Sequence, residues 1–288
     1  LAMGRPRRAE ALARRGLELA PASAGLRAAL AGALRWQDRH AEAVELLSAG
    51  PLDDETRVAL GRSLLVLDHP QEARPHFEAV LRRDGESVGA LAGLAEVLEH
   101  AGRLAEARGY VLRALAAAPD VARMHVLSAR IHLAEGRLVG AQRAAETALR
   151  LDPDAQEAMR LALRASLGQR RFGSAADFAE AILAQAPQDA EAVAALALHQ
   201  VLDGQAATAL GQLEALLAEQ PQAAALHRSA GCALLALGRI DDGAGRLAHA
   251  LRLDPKDGLA AAALPVAYVL PEAVDARQAA LAQALRTG

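Results

Sequence analysis

Small residues and prolines recur along this chain with a period of 34 residues. The clearest markers are five prolines that keep step with one another, Pro119, Pro153, Pro187, Pro221 and Pro255. A fixed period of this length indicates stacked repeats, each of which buries its apolar face against its neighbours. We therefore expect one quasi-linear array rather than two ordinary globular domains.

Each period predicts two antiparallel helices joined by a tight turn. When the periodic proline is counted as position 32, residues 122–155 form one repeat. Its helices are expected over roughly 123–135 and 139–151, with a turn at Gly136 and Arg137. Positions 8 and 20 are small in most repeats, which lets the two helices approach closely. Position 15 ends the first helix, where a left-handed residue is needed. It is glycine at Gly102, Gly136, Gly204 and Gly238.

This spacing, with small residues at positions 8, 20 and 27 and proline at position 32, resembles the tetratricopeptide repeat family. The resemblance covers nearly the whole chain and implies an all-α, right-handed superhelical solenoid of helix-turn-helix repeats. Seven repeats are expected over residues 24–257. Residues 1–23 match only the second helix of a repeat, and residues 258–288 are expected to form capping or linker helices. The half-repeat exposes an apolar face that further repeats or another chain would cover.

Composition supports helix and narrows the possible partners. Apolar residues make up 52% of the chain and aromatic residues only 2%, and alanine and leucine, both strong helix formers, dominate. The formal net charge of −3 argues against non-specific nucleic-acid binding, which needs a basic excess. No apolar run reaches the roughly 18 residues that span a bilayer. The compartment and the oligomeric state stay open, with the cytoplasm favoured over the periplasm.

Residues that could carry chemistry are scattered. His125 and His132 share a predicted helix, but no third ligand lies between them at helical spacing. Cys232 is the only cysteine, so a disulfide framework or a multi-cysteine zinc site within the chain is excluded. No glycine-rich phosphate loop follows a strand. We therefore expect no catalytic residues, no bound metal and no cofactor.

The resemblance implies that the first helices line a concave groove, with positions 2, 5, 9, 12 and 13 facing it. The candidate partner-binding residues at these positions are Arg62, Glu96, Arg123, Arg130, Arg160, Arg164, Arg228 and Trp36. Guanidinium groups form paired bonds to carboxylates or phosphates, so this row suits an extended ligand with acidic segments. Alternatively, the arginines pair with adjacent glutamates and only keep the groove soluble.

Three of the candidates carry further expectations. Arg130 and Arg164 are one period apart, which predicts neighbouring helices at about 10 Å, the usual interaxial distance. Trp36 is the only tryptophan and either anchors a partner in the groove or packs against the preceding half-repeat.

The leading functional expectation is a non-catalytic scaffold that holds a protein or peptide segment in the groove. The alternative rests on Leu264-Pro265-Val266-Ala267-Tyr268, followed by Val274 and Arg277. This segment is similar to the linker that joins the repeats of SPINDLY-type glycosyltransferases, relatives of the O-linked N-acetylglucosamine transferases, to their catalytic domain. The resemblance implies the substrate-recruiting arm of a larger enzyme. The chain has no asparagine, so it lacks the asparagine ladder typical of the latter enzymes. A periplasmic assembly factor is a third possibility.

Overall fold

The computed structural model describes residues 6–50, 52–268 and 274–287, and every regular element in these ranges is a helix. The predicted all-α fold class is therefore confirmed. The chain divides into two compact units, Leu1–Gly136 and Arg137–Gly288. None of the helices within the described ranges combines the length and the apolar character needed to cross a membrane.

The first unit contains eight helices in its described part. In chain order they are α1 Pro6–Leu19, α2 Ala24–Arg35, α3 His40–Ser48, α4 Asp54–Val66, α5 Pro70–Leu81, α6 Val88–His100, α7 Leu104–Ala117 and α8 Ala122–Ala134. Short turns join them, so helices adjacent in sequence run antiparallel and pack on each other. The even-numbered helices begin at the predicted repeat starts, and we call them the first helices of their repeats.

The second unit continues the same alternation. Its helices are α9 Leu138–Leu151, α10 Gln156–Gly168, α11 Phe172–Gln185, α12 Ala190–Leu202, α13 Ala206–Glu219, α14 Ala224–Ala236, α15 Ile240–Leu253, α16 Gly258–Ala263 and α17 Val274–Thr287. A short 3-10 helix, Leu264–Tyr268, follows α16, because Pro265 cannot continue the α-helical hydrogen bonding. Helix α17 packs on α14 and α16 and buries Leu281 and Leu285.

The segment behind the glycosyltransferase alternative is only partly described. Leu264–Tyr268 forms the 3-10 helix and contacts α15 and α16. The side chains of Val274 and Arg277 lie outside the described residues. The link to SPINDLY-type enzymes therefore stays a prediction.

Position 15 closes the first helix of every repeat with a left-handed residue. The four predicted glycines have φ between 71° and 83°, which confirms the expectation. Three further repeats use non-glycine residues at this position, with φ of 58° to 61°: Asp38, Asp68 and Arg170. Sequence reasoning missed these three because it looked for glycine, whereas the turn imposes the conformation on whichever residue stands there.

The core of the first unit shows how small and large residues are matched between helices. Phe77 on α5 is fully buried against Gly61 on α4 and Gly93 on α6. A Cβ atom on Gly61 would come within 2.6 Å of the Phe77 Cζ atom. In the next repeat the same two positions hold Ala95 and Val111, which are also buried. The larger ring therefore requires the smaller partner.

Candidate functional site

In the first unit, the first helices of consecutive repeats also contact each other: α2 with α4, α4 with α6 and α6 with α8. We call the set of their side chains at positions 2, 5, 9, 12 and 13 the inner face; some of these side chains, such as Leu65, Ala92 and Val126, are buried. Position 13 is exposed in all four repeats, at Trp36, Val66, His100 and Ala134. The candidate residues Trp36, Arg62, Glu96, Arg123 and Arg130 belong to this surface.

Arg130 and Arg164 stand at position 9 of their repeats, and each bonds a glutamate within its own unit. The Nε atom of Arg130 donates to both carboxylate oxygens of Glu99, at 2.8 and 3.0 Å. Arg164 donates from Nε and Nη2 to Glu191, at 2.8 to 3.0 Å, and these hydrogen bonds raise the pKa of Arg164. Arg130 and Arg164 lie in different units, so the expected distance between their helices stays a prediction.

Two further candidate arginines are also paired. Arg123 on α8 donates from Nη2 to Glu96 on α6 at 2.9 Å. Arg160 on α10 lies 2.9 Å from the carboxylate of Asp189, which also caps the N-terminus of α12. These contacts agree with the alternative in which arginines pair with neighbouring carboxylates.

The prediction that Arg228 faces a groove is wrong. Arg228 is buried, and its Nη1 atom donates to Oδ2 of Asp257 at 2.9 Å. The other carboxylate oxygen of Asp257 accepts hydrogen bonds from the backbone of Leu259 and Ala260 at the start of α16. The physical reason is that position 5 packs inside the array in most repeats: the equivalent residues Ala92, Val126 and Ala194 are also buried.

Arg62 differs from the other candidates. It is half-buried on α4, and the structure shows no hydrogen bond or ion pair to its guanidinium group from the described residues. The carboxylate that acts on its charge is Glu96, which accepts a hydrogen bond from Arg123. Burial lowers the pKa of Arg62, although the charge of Glu96 acts in the opposite direction.

Arg35, at position 12 of the preceding repeat, is the residue that sequence reasoning missed. It is half-buried at the end of α2 and, among the described residues, makes no ion pair. Burial lowers its pKa, and the positive charge of Arg62 lowers it further, so the two guanidinium groups lie within electrostatic range of each other. Its position in the repeat, equivalent to Glu99, was the signal that could have identified it.

Trp36 caps the C-terminus of α2 and is 82% exposed. The alternative in which it packs against the half-repeat is therefore wrong. Helix α1 docks on α2 through Gly16, which contacts Leu26, and through Glu10. The carboxylate of Glu10 accepts hydrogen bonds from Gln37 and Arg39 at 2.8 and 2.9 Å.

Two of the histidines bond backbone carbonyl groups, and the cysteine is buried. His125 and His227, both at position 4, bond through Nε2 to the carbonyl oxygens of Pro119 and Pro221, at 2.7 and 2.9 Å. Burial raises the pKa of Cys232 to about 12, which leaves it a thiol at neutral pH. Within the described ranges, no group of three or more His, Cys, Asp or Glu side chains is arranged to hold a metal ion.

Comparisons with known proteins agree with this fold. Models of the tetratricopeptide repeat match residues 1–66, 58–122 and 126–190, which is more than half of the chain. None of the curated proteins matches the sequence.

Three solved structures illustrate the similarity. The Cut9–Hcn1 hetero-tetramer of the APC/C has a TM-score of 0.65 at 16% identity, over 91% of this chain and 53% of that chain. PilW, a type IV pilus biogenesis factor, has a TM-score of 0.56 at 20% identity, over 71% and 95% of the two chains. YrrB, described as having an unusual peptide-binding site, has a TM-score of 0.52 at 17% identity, over 64% and 95%.

At these identities the structures show the fold alone, and the fold they share is a solenoid of helix-turn-helix repeats. The matching sequence models add the family. This chain belongs to the tetratricopeptide repeat family.

Proposed function

We propose that this chain is a non-catalytic scaffold that binds a protein or peptide segment along the inner face of its first unit. The observation that carries the proposal is Trp36, a large apolar side chain that is 82% exposed on that face. Tryptophan is enriched among the residues that dominate binding energy at protein interfaces. Val66, on the adjacent helix α4, is also exposed, and α4 carries charged side chains, so the two helices offer the mixed apolar and polar character of a binding surface.

The family supports the same proposal. Stacked repeats create extended surfaces that suit elongated partners, because each repeat contributes equivalent positions to one continuous face. YrrB, which shares this fold, has a peptide-binding site of its own. We therefore expect an extended segment to lie across the first helices α2, α4 and α6.

The proposal can be tested by selecting binders for the whole chain from a random-peptide display library. Hydrogen exchange measured with the selected peptide should then show protection in α2, α4 and α6 that exceeds any in α3, α5 and α7. Trp36→Ala should weaken binding by about 2 kcal/mol, as for a typical interface anchor.

Leu112 provides a matched control, because it is a 56% exposed apolar residue on the second helix α7. Leu112→Ala should leave the affinity unchanged. Recovery of no peptide, or protection confined to the second helices, contradicts the proposal.

A further inference from the structure

Arg35 and Arg62 form a pair of like charges that no carboxylate of the described residues bridges. Both are half-buried, on the adjacent helices α2 and α4, which contact each other. Partly buried charges are normally paired, because removing a charge from water is costly unless an opposite charge or a hydrogen bond compensates it. Glu96 acts on the charge of Arg62 but already accepts a hydrogen bond from Arg123, so neither Arg35 nor Arg62 has an ion pair of its own among the described residues.

The repeat register shows why these two arginines lack a partner. Arg62 occupies position 9, the position of Arg130 and Arg164 in their repeats. Arg130 bonds a glutamate at position 12 of the preceding repeat, but the residue there for Arg62 is Arg35.

Arg164 uses a different partner, Glu191, at position 2 of the following repeat. For Arg62 that position holds Gly89, which has no side chain to offer. Both routes to internal neutralisation, which serve the other two arginines, are thus closed at this one place.

Apolar surface lies beside the two cations. Trp36 directly follows Arg35 at the end of α2, and Val66 ends α4 one turn after Arg62. Their side chains are 82% and 63% exposed. An occupant that neutralises the arginines can therefore also bury apolar surface at the same end of the two helices.

We propose that Arg35, Arg62, Trp36 and Val66 form a docking site for an acidic peptide segment that carries an apolar side chain beside its carboxylates. The inference rests on the proposed scaffold function and adds the chemistry of the partner. Guanidinium groups bind carboxylates through paired, charge-assisted hydrogen bonds, and the indole ring accepts the neighbouring apolar side chain.

Charge complementarity favours a peptide over a nucleic acid. A phosphate polymer is bound by an extended basic field, whereas this chain has a net charge of −3 and Glu96 lies beside the site. The exposed apolar surface of Trp36 and Val66 also suits a peptide side chain.

Trp36 is the only tryptophan in the chain, so its fluorescence reports on this site alone. The experiment titrates the whole protein with three tryptophan-free peptides of equal length. Glutamate alternates with leucine in the first, glutamine replaces each glutamate in the second, and lysine replaces it in the third. The acidic peptide should shift the Trp36 emission to shorter wavelength and bind about tenfold more tightly than the glutamine peptide.

Substitutions of single arginines test which of them bind the acidic peptide. Arg35→Gln and Arg62→Gln should each weaken binding of the acidic peptide by about tenfold. Arg74→Gln is the matched control, because Arg74 lies on the second helix α5 and bonds Glu78 there; its affinity should be unchanged. The double variant Arg35→Glu and Arg62→Glu should instead prefer the lysine peptide. Circular dichroism of each variant checks that the helices persist.

The outcomes separate this inference from the proposed function. Equal binding of the acidic and glutamine peptides, or acidic binding that survives both glutamine variants, overturns the acidic docking site and leaves the scaffold standing. Tighter binding of duplex DNA or polyphosphate through the same arginines also overturns it. If neither these peptides nor any display-selected peptide binds, the scaffold proposal fails as well.

Discussion

Two of the three contacting first-helix pairs in the first unit, α2–α4 and α6–α8, share one architecture and differ in charge. In α6–α8, the arginine at position 9 is Arg130, and Glu99 at position 12 of the preceding repeat neutralises it. In α2–α4, the arginine at position 9 is Arg62, and the preceding position 12 is Arg35. The helices and their contacts are of the same kind. The residue at position 12 of the preceding repeat therefore determines whether it can pair with the arginine at position 9.

This comparison separates what the repeat fold fixes from what it leaves free. The fold fixes which positions of neighbouring repeats lie side by side. It does not fix the signs of the charges there, because exposed positions tolerate either sign at a cost of only a few tenths of a kcal/mol. In the docking site proposed above, a pair of positions in consecutive repeats therefore determines the chemistry of the partner.

The largest predicted effect is the loss of the carboxylate that pairs with the buried Arg228. Asp257→Ala would leave the buried Arg228 uncompensated and should lower the free energy of unfolding by about 3–5 kcal/mol. The matched control is Asp189→Ala, which removes the same kind of cap and the partner of Arg160. Because 41% of the Arg160 side chain is exposed, the expected loss is about 1 kcal/mol, mostly from the cap.

Urea unfolding followed by circular dichroism measures both losses. Equal losses for the two aspartates would show that the burial of an arginine does not determine the cost of removing its carboxylate partner. That result would weaken the comparison with Arg62, which has no ion pair among the described residues.

The next effect tests whether two consecutive repeats, α4–α5 and α6–α7, share one packing rule. Gly61→Ala should lower the free energy of unfolding by about 1–3 kcal/mol, because the added methyl group meets the ring of Phe77. The double variant Gly61→Ala with Phe77→Val recreates the Ala95 and Val111 combination of the next repeat. It should be less destabilised than the sum of its two single variants. Strict additivity in thermal or urea unfolding would contradict the size matching.

Charge-reversing substitutions at position 12 test the comparison between α2–α4 and α6–α8 directly. Arg35→Glu should give Arg62 the partner that Arg130 already has, raise the free energy of unfolding by about 0.5 kcal/mol and abolish acidic-peptide binding. Glu99→Arg should do the reverse in α6–α8 and lower stability by a similar amount. Urea unfolding and the Trp36 titration measure the two consequences independently. Stability that falls in Arg35→Glu would contradict the proximity of Arg35 and Arg62.

The smallest predicted effect concerns Glu10, whose carboxylate accepts hydrogen bonds from several side chains. Hydrogen bonds from Gln37, Arg14 and Arg39 lower the pKa of Glu10 from 4.5 to about 2. Below about pH 4.5 the unfolded chain binds a proton at Glu10, whereas the folded chain does so only near pH 2. The stabilisation is therefore fully present above about pH 4.5 and is lost as the pH falls from about 4.5 to 2. Glu10→Gln should be less stable than the parent at neutral pH, and the difference should shrink on acidification. A difference that stays constant with pH would contradict this role.

Much of the fold was readable from the sequence because the repeats enforce it. The 34-residue period placed the helices of residues 122–155 within about one residue of α8 and α9, and position 15 predicted the left-handed turns. The burial of Arg228 was not readable, because the period gives it the same position and the same aspartate partner as Arg160, which stays 41% exposed. The period describes how repeats cover one another but not how the chain covers its last repeat.

The candidate site was readable only in part, for a related reason. The register predicted Arg62 and Trp36 as residues of the inner face. It did not identify Arg35, because a list of arginines says nothing about which of them meet a carboxylate. That distinction requires reading position 9 of one repeat against position 12 of the repeat before it.

The most direct test of the central claim is a heteronuclear NMR titration of the arginine Nε–Hε groups with the acidic peptide. Peptide binding at the unpaired cations should shift the signals of Arg35 and Arg62 and leave that of Arg164, which already bonds Glu191, in place. If Arg164 shifts as much as Arg62, or if Arg62 does not shift while the peptide binds, the pairing of charges across repeats does not determine where the partner docks.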